Sequence, residues 1–182
     1  MKLNKSVLFA FVLMIIVGSV CRVLGFAPQI AMAIFGVSVI KDKKLAFLLP
    51  LVSMLLSDVL YEVLYRYGVM EYGGFYSGQI TNYILIAAVG LFGLLAVNRK
   101  PVNIMAAAIA APTVFFIISN FLVWLGGGGF HRPKTVEGLV QCFVDAVPFY
   151  RNGLVSTAVF SVLLFGGYYL LQRLMVRKEQ LA

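Results

Sequence analysis

Six apolar stretches, separated by short polar or glycine-rich segments, organise the chain. They run at about Val7–Leu24, Ala27–Ile40, Leu45–Tyr65, Thr81–Val97, Val102–Leu125 and Leu154–Met175. A helix that crosses a bilayer needs about 20 residues at ~1.5 Å rise each. The first, third, fifth and sixth stretches reach or approach that length. The second is short, at about 14 residues or ~21 Å against a hydrocarbon core of ~30 Å. It opens Ala27-Pro28, and proline suits a first helical turn, where its missing N–H has no partner anyway.

Two longer connections, about 66–79 and 126–152, separate these stretches. The first sets Tyr67, Tyr72, Phe75 and Tyr76 among glycines, which predicts a segment at the membrane interface with its rings at headgroup level. The second begins Gly126-Gly127-Gly128-Gly129, a flexible joint. Residues 135–147 then place Glu137, Gln141 and Asp145 on one helical face, with Val136, Leu139, Val140, Phe143 and Val144 over much of the rest. That pattern predicts an amphipathic cap stopped by Pro148.

Composition turns this pattern into a class. Of 182 residues, 62% are hydrophobic and 12% charged, and the mean hydropathy is +0.96. No soluble core of this size could hide so much apolar surface. The expectation is an all-α polytopic membrane protein of about six transmembrane helices in a single domain, with the lipid bilayer as its solvent. The N-terminal stretch follows Lys2 and Lys5 like a signal peptide, but no small-x-small site ends it, so it reads as a retained first helix.

The net charge of +8 does not point to nucleic acid, because the basic residues sit in clusters between apolar runs. With the N-terminus inside, the inner segments hold Lys2, Lys5, Lys41, Lys43, Lys44, Arg99, Lys100, Arg173, Arg177 and Lys178. The outer ones hold Arg22, Arg66, Arg132, Lys134 and Arg151. Ten against five predicts both termini in the cytoplasm.

Ionisable groups within a membrane are costly and need a reason. Asp58 and Glu62 lie four apart on one face of the third stretch, with Tyr61 and Tyr65 beside them. Ser119, Asn120 and Trp124 mark the outer end of the fifth, and Arg22 ends the first. These groups collect at one depth, where the short second stretch leaves room. An outward-facing pocket roofed by the two long connections would use Arg22, Asp58, Tyr61, Glu62, Asn120, Trp124, Gln141 and Asp145 for a solute. Against this stands a plainer reading: Asp58 and Glu62 pair with Arg22 or Arg132, Asn120 makes an interhelical hydrogen bond, and the aromatic residues form an interface belt.

Other chemistries find little support. Cys21, Cys142 and the single His131 form no metal-ligand cluster, and buried free thiols are the commoner outcome. No GxxxxGK[ST], HExxH or GxSxG motif is present. An enzyme would have only Asp58, Glu62 and His131 to use, so none is expected, nor is a cofactor.

Arg22, the segment 27–36 (APQIAMAIFG), Leu49-Pro50-Leu51, Met54-Leu55-Leu56-Ser57-Asp58, Ser119-Asn120-Phe121, Val123-Trp124, and Thr135 through Pro148-Phe149 with Asn152 resemble an uncharacterised family of small bacterial transport proteins. The six-helix layout is similar to the substrate-binding S component of energy-coupling-factor transporters. That resemblance implies uptake of a vitamin-like small molecule across the bacterial inner membrane, with an energising membrane subunit and its ATPases as partner. S components dock that subunit through an Ala-xxx-Ala surface in the first helix. Here Ala10, Met14 and Gly18 stand at that spacing, an imperfect match. A non-transporting scaffold subunit of a cell-envelope complex is the alternative.

Overall fold

The structure is a computed structural model, which describes the backbone of residues 5–180 and the side chains of 9–173. The terminal basic residues Lys2, Lys5, Arg177 and Lys178, used above to orient the chain, lie outside the described residues or side chains. Among the described residues the fold is all-α: α1 Lys5–Val23, α2 Gln29–Val39, α3 Lys43–Arg66, α4 Gln79–Gly90, α5 Pro101–Gly126 and α6 Val136–Gln180. A 3-10 turn, Leu91–Leu94, extends α4. Three helical segments, Lys43–Arg66, Pro101–Gly126 and Val136–Arg173, are long and apolar enough to cross a membrane. The apolar segments Phe9–Val23, Gln29–Val39 and Gln79–Leu94 are shorter.

Contacts fix the helix directions. Gly18 meets Ser53, and Arg22 pairs with Asp58, so α1 and α3 run parallel. Gln29 bonds to Ser53 while Gly36 abuts Ala46, so α2 runs antiparallel to α3. In α5 and α6, Asn120 meets Cys142 and Thr113 meets Tyr150, again antiparallel. One end of the bundle therefore has tight turns at 40–42 and 95–100. The other has the longer connections 67–78 and 127–135 and is called the loop end below.

The short α2 is the axis of the fold. Ile30, Ala31, Met32, Ala33, Ile34, Phe35 and Val37 are all buried, and Phe35 sets its ring edge-on to Phe165 of α6. Large apolar side chains on the other helices point outward instead, among them Phe9, Leu13 and Ile16 of α1 and Ile109 and Ile117 of α5. A molecule with its most apolar surface outside suits lipid, where helices associate through close packing of small residues and polar contacts.

Glycine and alanine supply that packing. A Cβ on Gly36 would lie 2.6 Å from the Ala46 carbonyl oxygen, and one on Gly90 would lie 3.2 Å from the Ala33 methyl. Gly93 is equally tight against the Ile34 carbonyl. The contacts of Gly90 and Gly93 press the end of α4 and its 3-10 turn onto α2. The regular α-helix accordingly stops at Gly90, short of the 81–97 span expected from hydropathy. Gly18 packs on Met32 and Ser53, and Met14 packs against the core. Two of the three positions that resembled a docking surface are thus turned into the bundle.

The expected cap at 135–147 and sixth span at 154–175 are one helix. Pro148 sits inside α6 without ending it. Its side chain is exposed, so no packed neighbour is displaced. Pro50 and Pro112 also lie inside helices, α3 and α5, but buried; helices packed against neighbours in a membrane tolerate this.

Candidate functional site

At the loop end, α1, α3 and α4 converge on one buried carboxylate. Asp58 is 1% exposed. It accepts hydrogen bonds from Arg22 of α1, Gln79 Nε2 at 2.6 Å and Tyr83 Oη at 2.5 Å, the last two from α4. The Arg22 guanidinium also donates from Nη1 to the Met54 carbonyl and to Ser57 Oγ. Its face lies 5.7 Å from the Tyr61 ring centroid, and Tyr61 Oη donates to the Arg22 carbonyl at 3.0 Å. The ion pair allowed for by the plainer reading of the sequence is therefore formed between Asp58 and Arg22. Gln79 and Tyr83 were not singled out from the sequence. Their i, i+4 spacing at the start of the fourth helix was the available signal.

Glu62 faces the neighbouring connection. It accepts from Arg66 Nε at 2.9 Å and from the Gly74 backbone N–H at 3.2 Å. Gly74 is pressed against the Asp58 carbonyl, where any Cβ would collide. The aromatic segment 67–78 is thus fastened to α3 through its glycines, leaving Tyr67, Tyr72, Phe75 and Tyr76 exposed.

A cavity of about 440 Å³ opens beside this cluster. Its walls come from every helix: Arg22 of α1, Gln29 and Ile30 of α2, Met54 of α3, Asn82 and Ile86 of α4, Phe115, Phe116 and Asn120 of α5, and Tyr150 and Thr157 of α6. Exposed Tyr76, Phe149 and Asn152 carry its rim to the loop end. A smaller cavity of about 220 Å³ shares Arg22 and Tyr76 and adds Asp58, Tyr61, Tyr72, Gly73 and Gly74.

Of the eight residues expected at a solute site, Arg22 and Asn120 line the large cavity, and Arg22, Asp58 and Tyr61 the small one. Glu62, Trp124, Gln141 and Asp145 line neither. Trp124 donates from Nε1 to the Pro133 carbonyl at 2.9 Å, with Lys134 over its ring. Asp145 takes a two-pronged bond from Arg132, 2.8 and 2.9 Å. These contacts tie the 127–135 connection to α5 and α6. Gln141 is half-buried on α6. His131 Nδ1 lies 2.6 Å from the Gly127 carbonyl oxygen. Cys21 and Cys142 are free, and no cluster of metal-ligating side chains occurs among the described residues.

Two wall residues were missed altogether. Gln29 is 3% exposed, and its Nε2 donates to the Gly18 carbonyl and Ser53 Oγ, at 3.1 and 3.2 Å. Its Oε1 has no partner, and neither has Thr157 Oγ1. In the sequence one reads as a helix-start residue after Pro28 and the other as a neutral member of an apolar span. Only the packing gives them meaning, because buried polar atoms are ordinarily satisfied.

The model of a family of unknown function, DUF6580, matches residues 2–180. The chain belongs to this family. The match agrees with the uncharacterised family that the motifs resembled, and the DUF6580 description assigns no activity. No curated protein and no solved structure matches the chain. These comparisons lend no support to the S-component likeness, which rests on the helix layout expected from the sequence.

Proposed function

We propose that this DUF6580 protein is a membrane-embedded solute binder for uptake, crossing the bacterial cytoplasmic membrane six times with both termini inside. In this reading the tight-turn end, with Lys41, Lys43, Lys44, Arg99 and Lys100, faces the cytoplasm, in keeping with the inward bias of basic residues. The loop end faces outward. The observation that supports the binder reading is the cavity of about 440 Å³ at that end. It has the size and the mixture of aromatic walls with a few polar groups typical of small-molecule sites. Arg22 is held at its wall by Asp58, Ser57 and the Met54 carbonyl.

The solute is a small vitamin-like molecule in this reading. An energising membrane subunit with ATPases would have to dock elsewhere than on Met14 and Gly18, which the bundle itself occupies. Thermal-shift screening of the purified chain in detergent against vitamins and their precursors is the direct test. At least one compound should raise the melting temperature, and Asn120→Ala should reduce that rise. A flat screen, with uptake unaffected by Asn120→Ala, would contradict the proposal.

A second reading has its own supporting observation. Asp58 is fully engaged by Arg22, Gln79 and Tyr83, as a scaffold subunit of an envelope complex would require. That reading predicts partners that co-purify with the chain and a cavity filled by lipid or a partner side chain.

A further inference from the structure

The two ends of the bundle treat their charges differently. The ion pairs found among the described residues, Arg22–Asp58, Arg66–Glu62 and Arg132–Asp145, all belong to the loop end or its connections. At the tight-turn end Lys41, Lys44, Arg99, Lys100 and Arg173 are exposed, and none is paired with a carboxylate among the described residues. The acid beside them, Asp42, uses its side chain to cap α3, accepting from the Lys44 and Leu45 N–H groups.

Part of this surplus is gathered on α6. Arg99 sits at φ 56°, a left-handed conformation that residues other than glycine seldom adopt. From there its Nη1 donates to Tyr168 Oη at 3.1 Å, with the guanidinium 5.6 Å from the ring centroid. Gln172 Nε2 donates to the same oxygen at 2.7 Å, so the two donors stand side by side. The Tyr168 O–H itself has no acceptor among the described residues. One position along, the Arg173 guanidinium lies 4.6 Å from the Tyr169 ring centroid. Two adjacent tyrosines thus hold two guanidinium groups at one level of the helix, with an amide and a hydroxyl beside them and no acid to match.

Toward the middle of α6 the neighbouring surface is bare. Val162, Gly166, Tyr169 and Arg173 recur on one helical face. Val162 is 73% exposed, and a Cβ on Gly166 would meet no neighbouring atom within 4 Å. Leu163 and Leu170 beside them are exposed as well. Tyrosine and arginine at the end of an apolar strip suit the level of lipid head groups, and basic sites there receive anionic ones.

We propose that this patch binds an anionic phospholipid, its phosphate received by Arg99, Gln172 and the Tyr168 O–H with the charge of Arg173 beside it, and an acyl chain lying along Val162 and Gly166. Such a site requires that the chain span the membrane, as proposed above, and is independent of what the cavity binds. A free phosphate would use only the head of the site, and an acidic protein would leave the apolar strip uncovered.

Native mass spectrometry reads the preference directly, with the full chain released from detergent containing equimolar phosphatidylglycerol and phosphatidylcholine of the same chain length. Each basic side chain at a membrane surface strengthens anionic-lipid binding about fivefold, so phosphatidylglycerol should be retained on the order of tenfold over phosphatidylcholine. Arg99→Gln with Arg173→Gln should bring the ratio close to parity. Lys41→Gln with Lys44→Gln removes as much charge from the same end and should leave most of the preference. Excess glycerol phosphate should not displace the lipid. No preference for the anionic lipid, a preference untouched by the arginine substitutions, or an equal loss from the lysine substitutions would overturn the site. Displacement by glycerol phosphate would make the ligand a free anion and overturn the lipid. If the arginine variant fails to fold, Tyr168→Phe, which keeps every charge and removes the shared oxygen, should lower the ratio severalfold; an unchanged ratio would overturn the site. A chain that stays dispersed without detergent would instead remove the membrane reading on which the site rests.

Discussion

Pro50 has no amide hydrogen for the carbonyl four residues before it, Ala46. That same carbonyl is the one against which Gly36 is packed. One residue opens the backbone and the other approaches it, so the α2–α3 contact depends on both. Gly36→Ala should destabilise the protein by ~1–3 kcal/mol, the usual cost of overpacking, read as a lower melting temperature in detergent. An unchanged melting temperature would mean that α2 can shift away without loss. The Arg22–Asp58 pair makes a second prediction. Arg22→Met strands a buried carboxylate and should cost about 3 kcal/mol or more, whereas Arg22→Met with Asp58→Leu should recover much of it. Failure of the double variant to recover would show that the hydrogen bonds of Gln79 and Tyr83 to Asp58 matter more than its charge. The pair was legible in the sequence because each charge stood out in an apolar run. Gln29 and Thr157 were not, since nothing in their neighbours marks a neutral polar residue as unpartnered until the helices are packed.

At the scale of elements, hydropathy located all six helices but misjudged two ends. The fourth was drawn too long because Leu91, Leu94 and Leu95 are as apolar as the residues of a regular helix. The close approach of Gly93 to Ile34 instead tightens the chain into a 3-10 turn. The cap was separated from the sixth span because proline usually interrupts helices in water. Here α6 passes Pro148 unbroken, so Pro148→Ala should change the melting temperature little, and a large gain would indicate that the proline strains α6. The 127–135 connection is fastened by Arg132 and Asp145. Asp145→Asn removes the charge that takes the two-pronged bond from Arg132 and should make residues 127–135 cleave faster under limited proteolysis. Equal cleavage of both proteins would leave the pair without a fastening role.

For the molecule as a whole, the decisive asymmetry lies between its ends. Tight basic turns close one, while long aromatic and glycine-rich connections surround a cavity at the other. The sequence disclosed this because charge clusters and loop lengths are local features. It could not distinguish the polar groups that face the cavity from those that tie down the connections, as Glu62 and Asp145 do. The central claim is that the cavity opens to the outside of the cell, and thiol accessibility of a cavity residue tests it most directly. Ser119 lines the cavity and is half-buried, so Ser119→Cys, in a chain with Cys21→Ser and Cys142→Ala, places one reporter there. A membrane-impermeant methanethiosulfonate should label it in right-side-out vesicles and not in inside-out vesicles. Labelling from the inside alone, or from neither side, would contradict the account.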